Sequence, residues 1–147
     1  MPAPFEPRLE FSFTVRLTFE RTFWIRPPTT GATRAAIYLK DGTFEGPDIR
    51  GIVVPQSGAD WPLVRPNGVI DFDARYLLQV DDGTVIYLQN RGFRWGTGES
   101  MEAMARNEPV DPASYYFRTA PRFQAPEGPY DWLNKHVFVG IGEKVPR

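Results

Sequence analysis

Residues 9–20 alternate without a break: Leu9, Phe11, Phe13, Val15, Leu17 and Phe19 interleave with Glu10, Ser12, Thr14, Arg16, Thr18 and Glu20. A period of two puts one row on a core and the other in water, which predicts a long half-buried β-strand. Three dipeptides, Asp41-Gly42, Asn67-Gly68 and Asp82-Gly83, tolerate the positive φ that tight turns between antiparallel strands require. They predict hairpins that join residues 35–40 to 43–50, 60–65 to 69–80, and 69–80 to 84–93. Apolar stretches at 115–123 and 133–141 add strands and bring the count to roughly eight or more. Helix signals are few. Residues 100–106 carry helix formers behind a Ser100 cap, and Asp111-Pro112 resembles a cap followed by a first-turn proline.

This many hairpins predicts an all-β fold, a single antiparallel β-barrel or a strongly bent sandwich, because closure removes exposed strand edges. A length of 147 residues suits one domain, residues 1–147, and 41% hydrophobic with 14% aromatic residues is enough for a packed core. The formal net charge of −1 offers no general attraction to phosphate backbones or anionic lipid, so neither nucleic acid nor membrane is the expected partner. The start, MPAPFEPRLEF, lacks the basic-then-apolar pattern of a secretory signal, and a cytoplasmic location is expected. Arginine outnumbers lysine 14 to 3. That ratio fits either bidentate anion recognition or the codon bias of a GC-rich genome.

Metal and cofactor chemistry find little support. There is no cysteine, His136 is the only histidine, and the aspartates lack calcium-loop spacing, so the expectation is no metal and no cofactor. GIGEK and GTGES fail the spacing of a phosphate-binding loop.

The ordered motifs GTFEGPDIRG, GADW, RPNG, DARY, DDG, NRG, YYFRTAPRF and YDWLN span residues 42–134. In this order they resemble the uncharacterised bacterial and fungal family known as domain of unknown function 3237. The resemblance covers nearly the whole chain and implies a compact β-barrel; it implies no general activity. Gln56-Ser57 stands where that family usually has glycines, and Asn67 where it tends to have aspartate.

The candidate chemistry is an Asp/Arg/Tyr/Trp set spread over neighbouring hairpins. With a two-residue turn at Asp82-Gly83, Val80 faces Val85, Leu78 faces Tyr87, Tyr76 faces Gln89 and Ala74 faces Arg91, all on one face. That face is apolar near the turn and polar away from it, as the wall of a small-molecule pocket would be. A three-residue turn through Asp81 would move Tyr87 to the other face. Asp48 and Asp60 bracket a glycine-flanked segment and could reach Arg50 or Arg75 as structural clips. Otherwise one of them is a general base beside Trp61, whose bulk would exclude water and raise the carboxyl pKa. Asp60 is the preferred base, with Tyr76 and Arg91 placed to stabilise developing negative charge. Arg50, Trp61, Tyr87, Gln89, Arg118, Trp132 and Asn134 are the candidate binding residues; Arg118, Trp132 and Asn134 read equally well as core and loop supports.

Two function classes remain open. One is a cofactor-independent isomerase, lyase or cyclase acting on an aromatic or carbonyl-bearing compound. The other is a non-catalytic small-molecule carrier. A titratable carboxylate inside the pocket favours the first. A small-molecule ligand is the expected partner in both, and a homodimer stays open.

Overall fold

The computed structural model describes residues 5–28 and 31–146. Nine strands form one antiparallel sheet: β1 (Thr14–Trp24), β2 (Thr33–Glu45), β3 (Arg50–Val53), β4 (Ala59–Asp60), β5 (Leu63–Val64), β6 (Ile70–Val80), β7 (Val85–Gly96), β8 (Tyr115–Gln124) and β9 (Gly140–Ile141). Their order is β1-β2-β3-β6-β7-β8-β9, and β4 and β5 fill the gap between β2 and β6 beyond the end of β3. The sheet rolls into a closed barrel. Phe13, just ahead of β1, meets Phe123 of β8 edge-to-face at 5.7 Å, an aromatic contact between the segment leading into β1 and a strand next to the far edge.

Among the described residues helix is confined to α1 (Gly98–Ala105) and two 3-10 turns, Pro112–Ser114 and Asp131–Lys135. Thr97, rather than Ser100, caps α1: its hydroxyl accepts from the Ser100 amide at 3.1 Å. Asp111 caps the first 3-10 turn as its Asp-Pro sequence predicts, accepting from the Ala113 amide at 2.9 Å. Among the described residues no helix is long and apolar enough to cross a membrane.

Three expectations change. The alternation from residue 9 begins before the first strand, which starts only at Thr14 and runs on to Trp24. Residues 133–141 are a 3-10 turn and irregular chain apart from the short β9. The Asp41-Gly42 pair is no turn at all, because β2 runs straight through it. There Gly42 sits between β1 and β3, opposite Leu17 and Val53, where a Cβ would strike the Arg16 carbonyl. Glycine serves close backbone approach at this point, and Asp41 accepts a hydrogen bond from the Thr18 hydroxyl across the ladder.

The Asp82-Gly83 hairpin forms, but with a three-residue turn. The Val80 amide donates to the Thr84 carbonyl at 2.9 Å, the Gly83 amide donates to the Val80 carbonyl at 2.8 Å, and Gly83 takes φ +94°. The Asp82 carboxylate fixes this geometry by accepting from the Thr84 amide at 2.9 Å. The consequence is a one-residue offset. Gln79 lies opposite Val85, Leu78 opposite Ile86, Tyr76 opposite Leu88 and Ala74 opposite Asn90. Because side chains alternate with period two, that offset sends Tyr87, Gln89 and Arg91 to the outer face and Ile86, Leu88 and Asn90 to the inner one.

The inner face is dry near this hairpin. Leu78, Ile86 and Val53 are fully buried, and Leu133, carried by the second 3-10 turn, packs into the same cluster with Leu39 and Phe44. Each such side chain contributes on the order of 2 kcal/mol of burial free energy.

Candidate functional site

One row of side chains crosses five strands at the other end of the barrel. Ile37 of β2 lies opposite Asp60 of β4, Asp60 opposite Ala74 of β6, Ala74 opposite Asn90 of β7, and Asn90 opposite Pro121 of β8. Paired residues in antiparallel strands project to the same side, so this row shares the inner face with Tyr76 and Leu78. Ala74 is the smallest member and separates Asp60 from Asn90. Strands spaced ~4.8 Å apart put those two backbones ~10 Å from each other, with only a methyl group between. Farther along, β7 contributes Arg94, two inward positions beyond Asn90, and β6 and β8 contribute Phe72 and Phe117, whose rings stack at 5.1 Å. The Arg94 guanidinium lies 5.3 Å and 5.5 Å from those two ring centres. Phe72, Ala74, Asn90, Arg94 and Phe117 face inward, yet each is only half-buried.

Asp60 is the one strongly buried charged residue here, at 8% exposure. Burial pushes its carboxyl up from the usual 3.8 to about 6. The backbone amides of Asp73 and Trp61 and the charge of Arg94 pull in the opposite direction and do not offset it. The hydrogen bond from the Asp73 amide is long, at 3.3 Å. Among the described residues Asp60 has no salt-bridge partner: Arg50 pairs with Asp81 at 3.5 Å and Arg75 with Asp73 at 3.6 Å, both on the exterior. Tyr76, at 4% exposure, has its hydroxyl pushed well above the usual tyrosine range by burial and then by the Asp60 charge. It is a neutral hydroxyl at any ordinary pH. Burial lowers the Arg94 pKa, while the charges of Tyr115 and Asp60 favour its cationic form.

Two polar atoms of this set have no partner. The Asn90 side-chain oxygen and Arg94 Nε are both buried without a hydrogen bond. An orphaned buried donor or acceptor typically costs ~1–3 kcal/mol, so these two atoms and one raised carboxyl are concentrated destabilisation at this end of the barrel. Sequence reasoning missed both residues. The signal was the alternation of β7 itself, which exposes Asn90 and Arg94 as inward positions once the hairpin offset is known.

The residues singled out from sequence divide sharply. Asp60 and Tyr76 come together inside the barrel. Arg91, predicted beside them, is exposed on the outer face opposite Asp73. Tyr87 and Gln89 are outside as well: Tyr87 lies close enough to Arg75 to raise its pKa, and Gln89 donates to Asp73 at 3.4 Å. Trp61 does not cover Asp60. It is 43% exposed, packs edge-to-face on Tyr38 at 6.2 Å and has its carbonyl held by Arg34 at 2.8 Å, so enclosure by the barrel interior, not tryptophan bulk, raises the Asp60 pKa. Arg118 lies 5.4 Å from the Tyr116 ring centre and donates to the Phe117 carbonyl at 3.0 Å. Trp132 packs on Phe138 at 6.2 Å beside the dry core. Asn134 clips the chain by accepting from the Ala125 amide at 2.7 Å and donating to its carbonyl at 2.8 Å. Arg50, in its exposed pair with Asp81, is far from any buried chemistry.

Surface grooves lie elsewhere. One is lined by Phe11, Arg16, Thr43 and Pro47, the other by Trp95, Tyr115, Tyr116 and Arg118; Asp60 lines neither. Among the described residues no three histidine, aspartate or glutamate side chains converge as metal ligands would.

Fold and site together define a small closed antiparallel β-barrel with one dry end and one polar end. The chain belongs to the family described as "Protein of unknown function (DUF3237)", whose model matches residues 7–147. A UPF0311 protein of Bradyrhizobium diazoefficiens is 44% identical over 134 residues, 90% of this chain and 87% of that protein. The crystal structure of a conserved protein of unknown function from Rhodopseudomonas palustris superposes with a TM-score of 0.86 at 36% identity, covering 97% of this chain and 93% of that one. The crystal structure of an enzyme from Penicillium herquei shares the fold at a TM-score of 0.72 and 24% identity, over 97% of this chain and 89% of that one.

Proposed function

We propose that this protein is a cofactor-independent isomerase, lyase or cyclase that moves a proton within an aromatic or carbonyl-bearing small molecule, with Asp60 as the general base and acid. The observation that carries the reading is the placement of Asp60: a carboxylate buried on the inner face at the polar end of the barrel, with no salt-bridge partner among the described residues. A carboxyl poised near neutrality can both take and return a proton, which is what an intramolecular proton shift needs. Tyr76, kept neutral beside it, is a hydrogen-bond donor for charge that develops on a substrate oxygen. That a Penicillium herquei enzyme shares the fold is consistent with this reading and says nothing about its substrate.

The test needs no knowledge of the natural substrate. Aryl ketones with acidic α-hydrogens are incubated with the protein in deuterium oxide, and exchange is followed by proton NMR. Wild type is expected to accelerate α-exchange with a rate that rises as pH passes through about 6, while Asp60→Asn loses ~100-fold or more of that acceleration. A carrier would bind the same ketones and exchange nothing. Full exchange in Asp60→Asn would remove the aspartate from the chemistry.

A further inference from the structure

Arg94 Nε is a donor without an acceptor, and the Asn90 side-chain oxygen is an acceptor without a donor. Both sit on β7, four residues apart and therefore on the same face, at the polar end of the barrel. A ligand that quiets both must carry an acceptor for Arg94 and a donor for Asn90, and because four strand residues span ~13 Å the two groups must stand apart on it. The surroundings narrow the shape. Phe72 and Phe117 lie beside the guanidinium as a stacked pair, an environment suited to a flat, conjugated body. Ala74, the residue between Asp60 and Asn90 in the cross-strand row, contributes only a methyl group.

We propose that Arg94 and Asn90 form the substrate-orienting subsite of the barrel, and that it receives a planar hydroxy-carbonyl compound, an acyl phenol, with the carbonyl on Arg94 and the hydroxyl on Asn90. This rests on the reading of Asp60 as the proton-transfer group and names the substrate class of that same site. In the bound state the carbonyl oxygen accepts from Arg94 Nε, so electron density that builds on it when a neighbouring proton leaves is held by a fixed cation. The hydroxyl donates to Asn90, which fixes the ring in its plane. Asp60, in the same cross-strand row as Asn90, then faces the substrate from the opposite side of Ala74. Arg94 and Asn90 position; Asp60 transfers.

The probes are 4-hydroxyacetophenone and 4-methoxyacetophenone, titrated into the full-length protein by calorimetry. Wild type is expected to prefer the hydroxy compound by ~10-fold or more, because the methoxy analogue cannot donate and leaves the Asn90 oxygen buried and unpaired. Asn90→Leu, close in volume and without the acceptor, is expected to erase that preference. Arg94→Met is expected to weaken both ligands ~10-fold, because each presents the same carbonyl. Asp60→Asn is expected to bind both within ~3-fold of wild type, since it leaves the two orienting groups in place. The two-ligand comparison in wild type needs no variant and stands even where a substitution unfolds the barrel. Equal affinity of wild type for the two ligands, binding of neither, or a preference that survives in Asn90→Leu each overturns the subsite. None of those outcomes touches Asp60, whose role stands or falls on isotope exchange in Asp60→Asn. Conversely, a hydroxyl preference with exchange intact in Asp60→Asn keeps the subsite and discards the aspartate.

Discussion

At Leu78 the inner face of β6 is completely buried; four residues earlier, at Ala74, the same face is half open and flanked by Asp60 and Asn90. The two environments share strands, register and pleat, and differ only in which side chains the alternation delivers. Near the hairpin it delivers Leu78, Val80, Ile86 and Leu88, closed off by Leu133. Toward the mouth it delivers Phe72, Asn90 and Arg94, with the Asp60 row between. The dry end therefore supplies the burial energy that lets the polar end hold a raised carboxyl and two unpaired polar atoms. Stability and chemistry occupy opposite ends of one barrel, a division that mutations can break.

The largest effect is expected at the dry end. Leu78→Ala removes a fully enclosed side chain from the centre of the cluster and should cost about 3–4 kcal/mol, read from chemical denaturation. The same variant should leave the pH at which Asp60 titrates unchanged, as followed by carboxyl-carbon NMR. A shift in that titration would mean that the two ends are one cooperative unit and not separate environments.

The next effect is smaller and has a sign. The folded-state pKa of Asp60, about 6, lies above its unfolded value near 3.8. The folded protein therefore holds this proton more tightly, and burial of the group is harmless while it is protonated. Stability from this group is fully present below pH ~4 and is lost as pH rises through about 6, a total of about 3 kcal/mol for a shift of this size. Asp60→Asn cannot titrate. Denaturation of both proteins from about pH 4 to pH 7 should show the variant gaining on wild type by up to that amount. A constant difference across the range would mean that Asp60 is solvated and that the polar end is no buried site.

How much of this division was legible in the sequence can be traced residue by residue. The all-β barrel followed from strict alternation and from two of the three turn dipeptides, and those signals are local. Asp60 was preferred as the aspartate without an arginine partner and Tyr76 for its place on the face of β6 that turns polar, and the fold puts both on the inner face. Arg94 and Asn90 were hidden by a single residue of turn length at Asp82-Gly83. The local sequence is compatible with a two- or a three-residue turn, and the Thr84–Asp82 hydrogen bond that decides between them is visible only in the fold. Asp41-Gly42 misled for the opposite reason. Its glycine answers to tertiary crowding against Arg16, which no local pattern records. Trp61 failed likewise: sequence adjacency to Asp60 suggested contact, but neighbours in a strand point to opposite faces.

The smallest effects are expected on the outer face, and they sharpen the comparison because the residues involved looked most functional in the sequence. Arg91 is exposed, lies opposite Asp73 and projects away from the barrel interior. Arg50 pairs with Asp81 at 3.5 Å, with both side chains two-thirds exposed, so water screens the attraction and ordering two long side chains offsets most of it. Arg91→Ala and Arg50→Ala are each expected to change stability by less than ~0.5–1 kcal/mol and to leave α-exchange of aryl ketones at the wild-type rate. The two are also expected to lose whatever small effect they have in high salt, since surface pairs weaken as ionic strength rises. The exchange rate is the decisive readout, because an exterior arginine has no route to the Asp60 carboxylate except through the sheet. A tenfold fall in exchange on removal of Arg91, with stability unchanged, would place the reacting molecule on the outside of β7 and leave Asp60, Asn90 and Arg94 as parts of the core.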